Sequence, residues 1–257
     1  MSDSPLIAVD IGNSSTKIGW GFGPPAAGGL PTPGETKSFV TGQPLPDTLR
    51  NFLPKQGCRW QIASVHREGT RLLQSWLEAN RPRDEVCVLT HCELPLVVRV
   101  EFPDRVGLDR LAAAVAANAL RRPGSPAIVI DAGSAITVDL VAGDGAFEGG
   151  VILPGFQMSA QALFGADLLP LAQLAPNDEP PPIIGRSTEG AIRSGLFWGA
   201  VGAAREIISR VTAQLDRPPE IYVTGGDLRQ LAEQFGGDAR YVPNMVLSGI
   251  AVAAARG

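Results

Sequence analysis

The sequence predicts an α/β fold built twice over, two related halves with a cleft between them. Three observations carry that prediction. First, "LIAVDIGNSSTKIGW" (6–20) and "AIVIDAGSAITVDLV" (127–141) share one plan: β-formers, a carboxylate, a glycine two residues on, then β-formers again. Aligned without gaps, Asp10 falls on Asp131, Gly12 on Gly133, Asn13 on Ser134 and Thr16 on Thr137. Second, short β-rich runs alternate with segments of helical period, as expected where helices cover a sheet. Third, Pro123, Gly124 and Pro126 break the chain just before the second acidic strand. That break divides it into domains at 1–122 and 123–257.

The elements follow in order. Residues 6–9 and 16–22 read as strands around the DIGNSS turn, and 21–35 as a Gly/Pro-rich surface loop. "QIASV" (61–65) is a strand, and 69–80 carries Leu72, Leu73, Trp76 and Leu77 at helical spacing. "EVCVLT" (85–90) is a further strand, and "LPLVVRVEF" is extended. "VGLDRLAAAVAANALRR" is an alanine-rich helix with Asp109 near its start, where an acid complements the helix dipole. Strands at 127–130 and 136–141 flank the Asp131 turn, and "GDGAF" supplies a hairpin turn. "GGVILPGFQMSAQALFG" runs from strand into helix, and 174–187 is a Pro-rich loop. A long helix then starts at Ser187 or Thr188 as N-cap, without a capping box because Gly190 and Ala191 stand three residues on. "EIYVTGGDLRQLAEQF" is strand, tight glycine turn and helix, and "VLSGIAVAAAR" is a terminal helix.

Composition narrows the function classes. The 257 residues are 44% apolar and 19% charged, enough for a sizeable core and too apolar for general disorder. A net charge of −4, with no Lys/Arg cluster, argues against nucleic-acid binding. Cys58, Cys87 and Cys92 lack the spacing of a zinc site or a disulfide frame. No apolar run approaches a membrane span, and the N-terminus lacks a basic region followed by a long apolar one. The expectation is a cytoplasmic protein.

The acid–glycine turns carry the chemistry. A glycine turn brings backbone N–H groups close to phosphate oxygens, and hydroxyl or amide side chains add donors. Asp beside such a turn repels phosphate unless a cation such as Mg²⁺ lies between them. A single copy is also what a plain Asx-type turn shows. Two copies at equivalent places favour a grip on a nucleotide's phosphates from both sides. "TGGD" (224–227) after a strand is either a plain turn or, beside the two hairpins, a shelf for a nucleotide base. Asp109 alone is also readable as an ordinary helix-start acid paired with Arg110.

These pieces together resemble the superfamily of acetate kinase, sugar kinases, actin and heat-shock chaperone ATPases, with its duplicated ribonuclease H-like (actin-like ATPase) domains. Within it the chain resembles type III pantothenate kinases over almost its whole length, through "DIGNSSTK", "VGLDRLAAAVAA", "IDAGSAITVD", "GGVILPG", "IGRSTEGAIRSG" and "TGGD". The resemblance implies transfer of a phosphoryl group from ATP to the primary hydroxyl of pantothenate, the first step toward coenzyme A. Asp10 would hold Mg²⁺. Gly12, Asn13, Ser14, Lys17, Gly133, Ser134, Thr224, Gly225 and Gly226 would bind ATP and its phosphates. Asp109 would be the general base, and Arg110 would bind substrate or hold the developing charge. Val100, Gly107, Leu108 and Thr188 would line the pantothenate site, Thr188 across a homodimer interface near Phe197 and Trp198. Asp131 would bind metal, including a monovalent cation, K⁺ or NH₄⁺.

The chain departs from the family's pattern ahead of GLDR, where Val100 and Phe102 replace a Tyr and an Asn. These apolar residues either pack or line a pocket for a less polar acceptor. "ASVHREG" replaces another family segment, and His66 reads as a local polar contact. The alternatives to pantothenate kinase are a superfamily kinase for another small alcohol and a non-catalytic accessory protein. Retention of Asp10, Asp109 and Asp131 speaks against the latter.

Overall fold

A computed structural model describes residues 4–25, 28–164, 179–226, 229–237 and 239–256. The chain divides into unit 1, residues 1–120 with 244–257, and unit 2, residues 121–243. Each unit is built on one five-stranded sheet.

In unit 1, β1 (Leu6–Ile11) pairs antiparallel with β2 (Ser15–Trp20), which pairs antiparallel with β3 (Glu35–Val40). On the other side β1 pairs in parallel with β4 (Arg59–Ser64), and β4 with β5 (Glu85–Val88), giving the order β3-β2-β1-β4-β5. Alternation assigns the two faces. Ile7, Val9, Ile11, Ile18, Trp60 and Ile62 pack with Leu49 of α1 (Thr48–Phe52) and with Leu73 and Leu77 of α2 (Arg67–Asn80). The opposite face carries the small residues Ala8, Gly19 and Ala63, and there α3 (Leu108–Leu120) and α7 (Met245–Ala254) pack on each other and on β4. The crossing of α3 with α7 depends on Gly249, since a Cβ there would stand 1.8 Å from the Ala112 carbonyl oxygen.

Unit 2 repeats the plan. β6 (Ala127–Ala132) pairs antiparallel with β7 (Ala135–Val141) and β7 antiparallel with β8 (Phe147–Pro154). β6 pairs in parallel with β9 (Glu220–Thr224), and β9 with β10 (Arg240–Tyr241). The order β10-β9-β6-β7-β8 is that of unit 1 with each strand replaced by its counterpart. Ile128, Ile130, Ile136, Val138 and Val223 form a core with Phe156 of α4 (Phe156–Phe164), Phe197, Val201 and Ala204 of α5 (Thr188–Thr212), and Leu231 of α6 (Arg229–Glu233).

The structure departs from the sequence reading in four respects. The terminal helix α7 belongs to unit 1, not to a domain running 123–257, and the division falls after Leu120. Packing decides this, because a nearly all-buried, Gly-bearing helix fits the small-residue face of the first sheet. β3, α1 and β10 exist without a marked sequence pattern. The "LPLVVRVEF" segment is irregular, with one bridge at Val98.

The fourth departure concerns register. Ile11 faces Thr16, leaving residues 12–15 in the first turn, whereas Ala132 faces Ile136, leaving only 133–135 in the second. Thr16 therefore lies opposite Ile11 and Thr137 opposite Asp131, so the gapless pairing of these threonines fails in three dimensions.

Candidate active site

The predicted residues of unit 1 gather at the C-terminal end of its parallel strands. Half-buried Asp10 lies between Lys17 on β2 and Ala63 on β4. Gly12 closes the turn through its N–H to the Ser15 carbonyl at 3.0 Å, and Asn13 and Ser14 are exposed at its tip. The Thr16 and Thr41 hydroxyls bond at 2.9 Å, and Thr41 N–H donates to the Ser14 carbonyl at 3.1 Å, tying the turn to the end of β3.

Asp109 reaches the same sheet end. Val65 N–H donates to the Ile11 carbonyl at 3.0 Å, and Val65 packs where a Gly107 Cβ would point, 3.4 Å away. That Cβ would also stand 2.4 Å from Asp109 Oδ1. Gly107 is thus required for the carboxylate to fold back over its own helix start, where Oδ1 accepts the Arg110 N–H at 2.8 Å. Leu108 opens the helix, and Leu111 N–H donates to the Gly107 carbonyl at 3.2 Å. Ahead of it, Pro103–Arg105 form a 3₁₀ turn. Phe102 is 46% exposed and carries the Arg105 guanidinium 4.5 Å from its ring centroid. Phe102 is therefore outside the core, while Val100 is half-buried.

Sequence reasoning missed Asn244. Its φ is 55°, a left-handed conformation that Asn tolerates better than most residues. Its side chain makes no cap to α7 and instead accepts from Lys17 Nζ at 3.4 Å. His66, by contrast, is a structural cap: its Nδ1 accepts the Gly69 N–H at 2.9 Å at the start of α2.

In unit 2, half-buried Asp131 lies between Thr137 on β7 and the buried Thr224 on β9. Two glycines lock the surrounding turns together. A Cβ on Gly155 would stand 2.3 Å from the Ser134 carbonyl oxygen, and one on Gly225, where φ is +99°, would stand 2.4 Å from that of Ala132. The Gly133–Ser134 turn, the end of β8 and the Thr224–Gly226 turn are therefore one packed unit. Tyr241 reinforces it by donating to the Gly226 carbonyl at 2.9 Å. Asp227 of the TGGD motif and residues 174–178 of the Pro-rich loop lie outside the described residues.

Ser187 is the N-cap of α5, its side chain accepting the Gly190 N–H at 3.0 Å, which leaves Thr188 exposed in the first turn. Thr188 borders an apolar groove of about 700 Å³ between α4 and α5, lined by Met158, Leu163, Ile192 and Leu196. Phe197 is buried in the unit 2 core, and Trp198 Nε1 donates to the Pro181 carbonyl at 2.9 Å.

Among the described residues, no group of three or more His, Cys, Asp or Glu side chains forms a metal site. Half-buried single carboxylates beside glycine turns, as at Asp10 and Asp131, suit Mg²⁺, which keeps waters and takes substrate phosphates as ligands. The residues present fit that ion.

A sequence profile described as type III pantothenate kinase matches residues 6–210. The type III pantothenate kinase of Caulobacter vibrioides is 41% identical over 229 residues, 86% of this chain and 85% of that one. The chain belongs to the type III pantothenate kinase family. The relative from Ruegeria sp. strain TM1040 is 35% identical over 86% of this chain and 85% of its own. With the family members from Phenylobacterium zucineum and Jannaschia sp. the match spans about half of their length, 51% of each. Solved structures support the fold. A conserved candidate Baf family transcriptional activator from Campylobacter jejuni superposes with a TM-score of 0.60 at 19% identity over 98% of both chains. A glucokinase from an Antarctic psychrotroph superposes at 0.53 with 11% identity over the full length of both. No helix among the described residues is long and apolar enough to cross a membrane.

Proposed function

We propose that this chain transfers the γ-phosphoryl group of ATP to the primary hydroxyl of pantothenate, in the cytoplasm and as a homodimer. The observation that carries the reading is the Gly107–Asp109 geometry: the carboxylate is held over the start of α3, at the sheet end that bears Asp10. Asp109 accepts the hydroxyl proton as the alcohol oxygen bonds to the γ-phosphorus and the bond to the β-phosphate oxygen breaks. Arg110 offsets charge developing on the transferred group. Gly12, Asn13, Ser14 and Lys17 take phosphate oxygens, and Gly133, Ser134, Thr224, Gly225 and Gly226 take the rest of ATP. Mg²⁺, when bound at Asp10, neutralises phosphate charge.

Val100, Gly107, Leu108 and Thr188 form the acceptor pocket in this reading. The apolar groove beside Thr188 supports a second copy as the pocket's other wall, because burying it would remove exposed Met158 and Leu163 from water. Asp131 serves a monovalent cation, K⁺ or NH₄⁺. A different small alcohol is the second reading, favoured by exposed Phe102 in a place where the family resemblance implies Asn.

The test is turnover with ATP, Mg²⁺, K⁺ and pantothenate beside a panel of other alcohols. Asp109→Asn, checked for an unchanged circular dichroism spectrum, is expected to lose about 10²–10⁴-fold in kcat. Turnover retained in that variant would remove the general-base role. Turnover by the wild type on another alcohol alone would select the second reading.

A further inference from the structure

Lys17 and Asn244 stand far apart in the chain, yet both belong to unit 1 and meet at the end of its sheet that carries Asp10. Side chains two apart on a strand share a face. Asp10 therefore lies on the side of Ala8, and Lys17 on the side of Gly19, the small-residue face that α7 covers. Leu247 of α7 closes on Gly19, where a Cβ would stand 2.9 Å from Leu247 Cδ1. Asn244, one turn earlier at the N-cap of α7, thereby comes to Lys17, whose Nζ donates to the Asn244 Oδ1 at 3.4 Å.

Two features of Asn244 are not explained by α7 itself. Asn at an N-cap ordinarily accepts a backbone N–H of the first turn, and here the side chain makes no such bond. Among the described residues Asn244 is also the one non-glycine with a positive φ. The oxygen that would cap the helix is given to Lys17 instead.

A lysine ammonium on its flexible stem loses much freedom when it grips a phosphate, and holding it beforehand reduces that loss. An amide does so without the further negative charge that a carboxylate would set beside the phosphates. We infer that Asn244 is a positioning residue for nucleotide binding, its amide oxygen holding the Lys17 ammonium at the sheet end where the phosphates dock. The inference rests on the reading of Lys17 as a phosphate ligand and adds the residue that orients it.

The test is a double-mutant cycle between Asn244→Gly and Lys17→Met in the full chain. The dissociation constant of magnesium–ATP is read from the rise of melting temperature with nucleotide. Glycine takes the left-handed backbone freely and is tolerated at an N-cap, so Asn244→Gly is expected to melt close to wild type without nucleotide. It is expected to weaken ATP binding about 3–10-fold in the wild-type background. In the Lys17→Met background, itself weakened by more than about tenfold, the same change should cost less than about twofold. Equal losses in both backgrounds would overturn the inference, since Asn244 would then act on the nucleotide without Lys17. Unchanged binding in Asn244→Gly beside a loss in Lys17→Met would overturn it too, and would leave the phosphate role of Lys17 standing. Unchanged binding in Lys17→Met would remove that role and the inference with it. The melts need no alcohol substrate, so the result is independent of which acceptor is turned over.

Discussion

Hairpin β1–β2 and hairpin β6–β7 begin from the same motif, a strand-end Asp followed two residues later by Gly, in sheets of the same strand order. They differ by one residue of turn, 12–15 against 133–135. Side chains alternate along a strand, so a one-residue change of register moves a residue to the other face. Thr16 goes to the core side and is 5% exposed; Thr137 goes to the side of the acid. The comparison shows that a one-residue difference in turn length sets different residues opposite the two acids in sheets of the same strand order.

The largest effect that would break this contrast comes from the acids themselves. Asp10→Asn is expected to lower kcat by more than about 100-fold without rescue by added K⁺. Asp131→Asn should raise the K⁺ needed for half-maximal activity by about 10–100-fold and leave the Mg²⁺ requirement unchanged. Steady-state titrations of both ions on both variants check this. Identical responses would mean that the two hairpins serve one ion.

A second contrast concerns glycines in helices. Gly249 of α7 presses on α3, where a Cβ would stand 1.8 Å from the Ala112 carbonyl oxygen. Gly249→Ala is expected to destabilise the protein by about 2–3 kcal/mol, read by denaturant melts, because backbone rather than a flexible side chain must yield. Gly202 of α5 is exposed and meets nothing within 4 Å. Gly202→Ala should therefore be the smallest effect and of opposite sign, a gain of about 0.5–1 kcal/mol from helix propensity. A loss there would show that the face of α5 carrying Gly202 is covered.

Much of the site was legible because its chemistry is local. The turn glycines, the strand-end acids and the Gly-x-Asp-Arg helix start each declare themselves within a few residues. Gly107 has a reason visible only in coordinates, the 2.4 Å approach to Asp109 Oδ1, yet its spacing to the acid was plain in the chain. Asn244 was not legible: it accepts a hydrogen bond from Lys17, 227 positions away in sequence. The isolated helix α7 offered no signal that it would return to unit 1, since any helix so apolar must be buried somewhere. Phe102 was left between two roles by its residue type, and only its exposure beneath Arg105 excluded the core.

The sequence by itself determined the duplicated α/β architecture, the two acidic turns and the helix-start carboxylate, because strand period, turn glycines and helix propensity are short-range properties. Tertiary structure alone decided which unit receives the last helix and which residue faces each acid. Both depend on close packing and cross-strand register, and a difference of one residue or one methyl group reverses either.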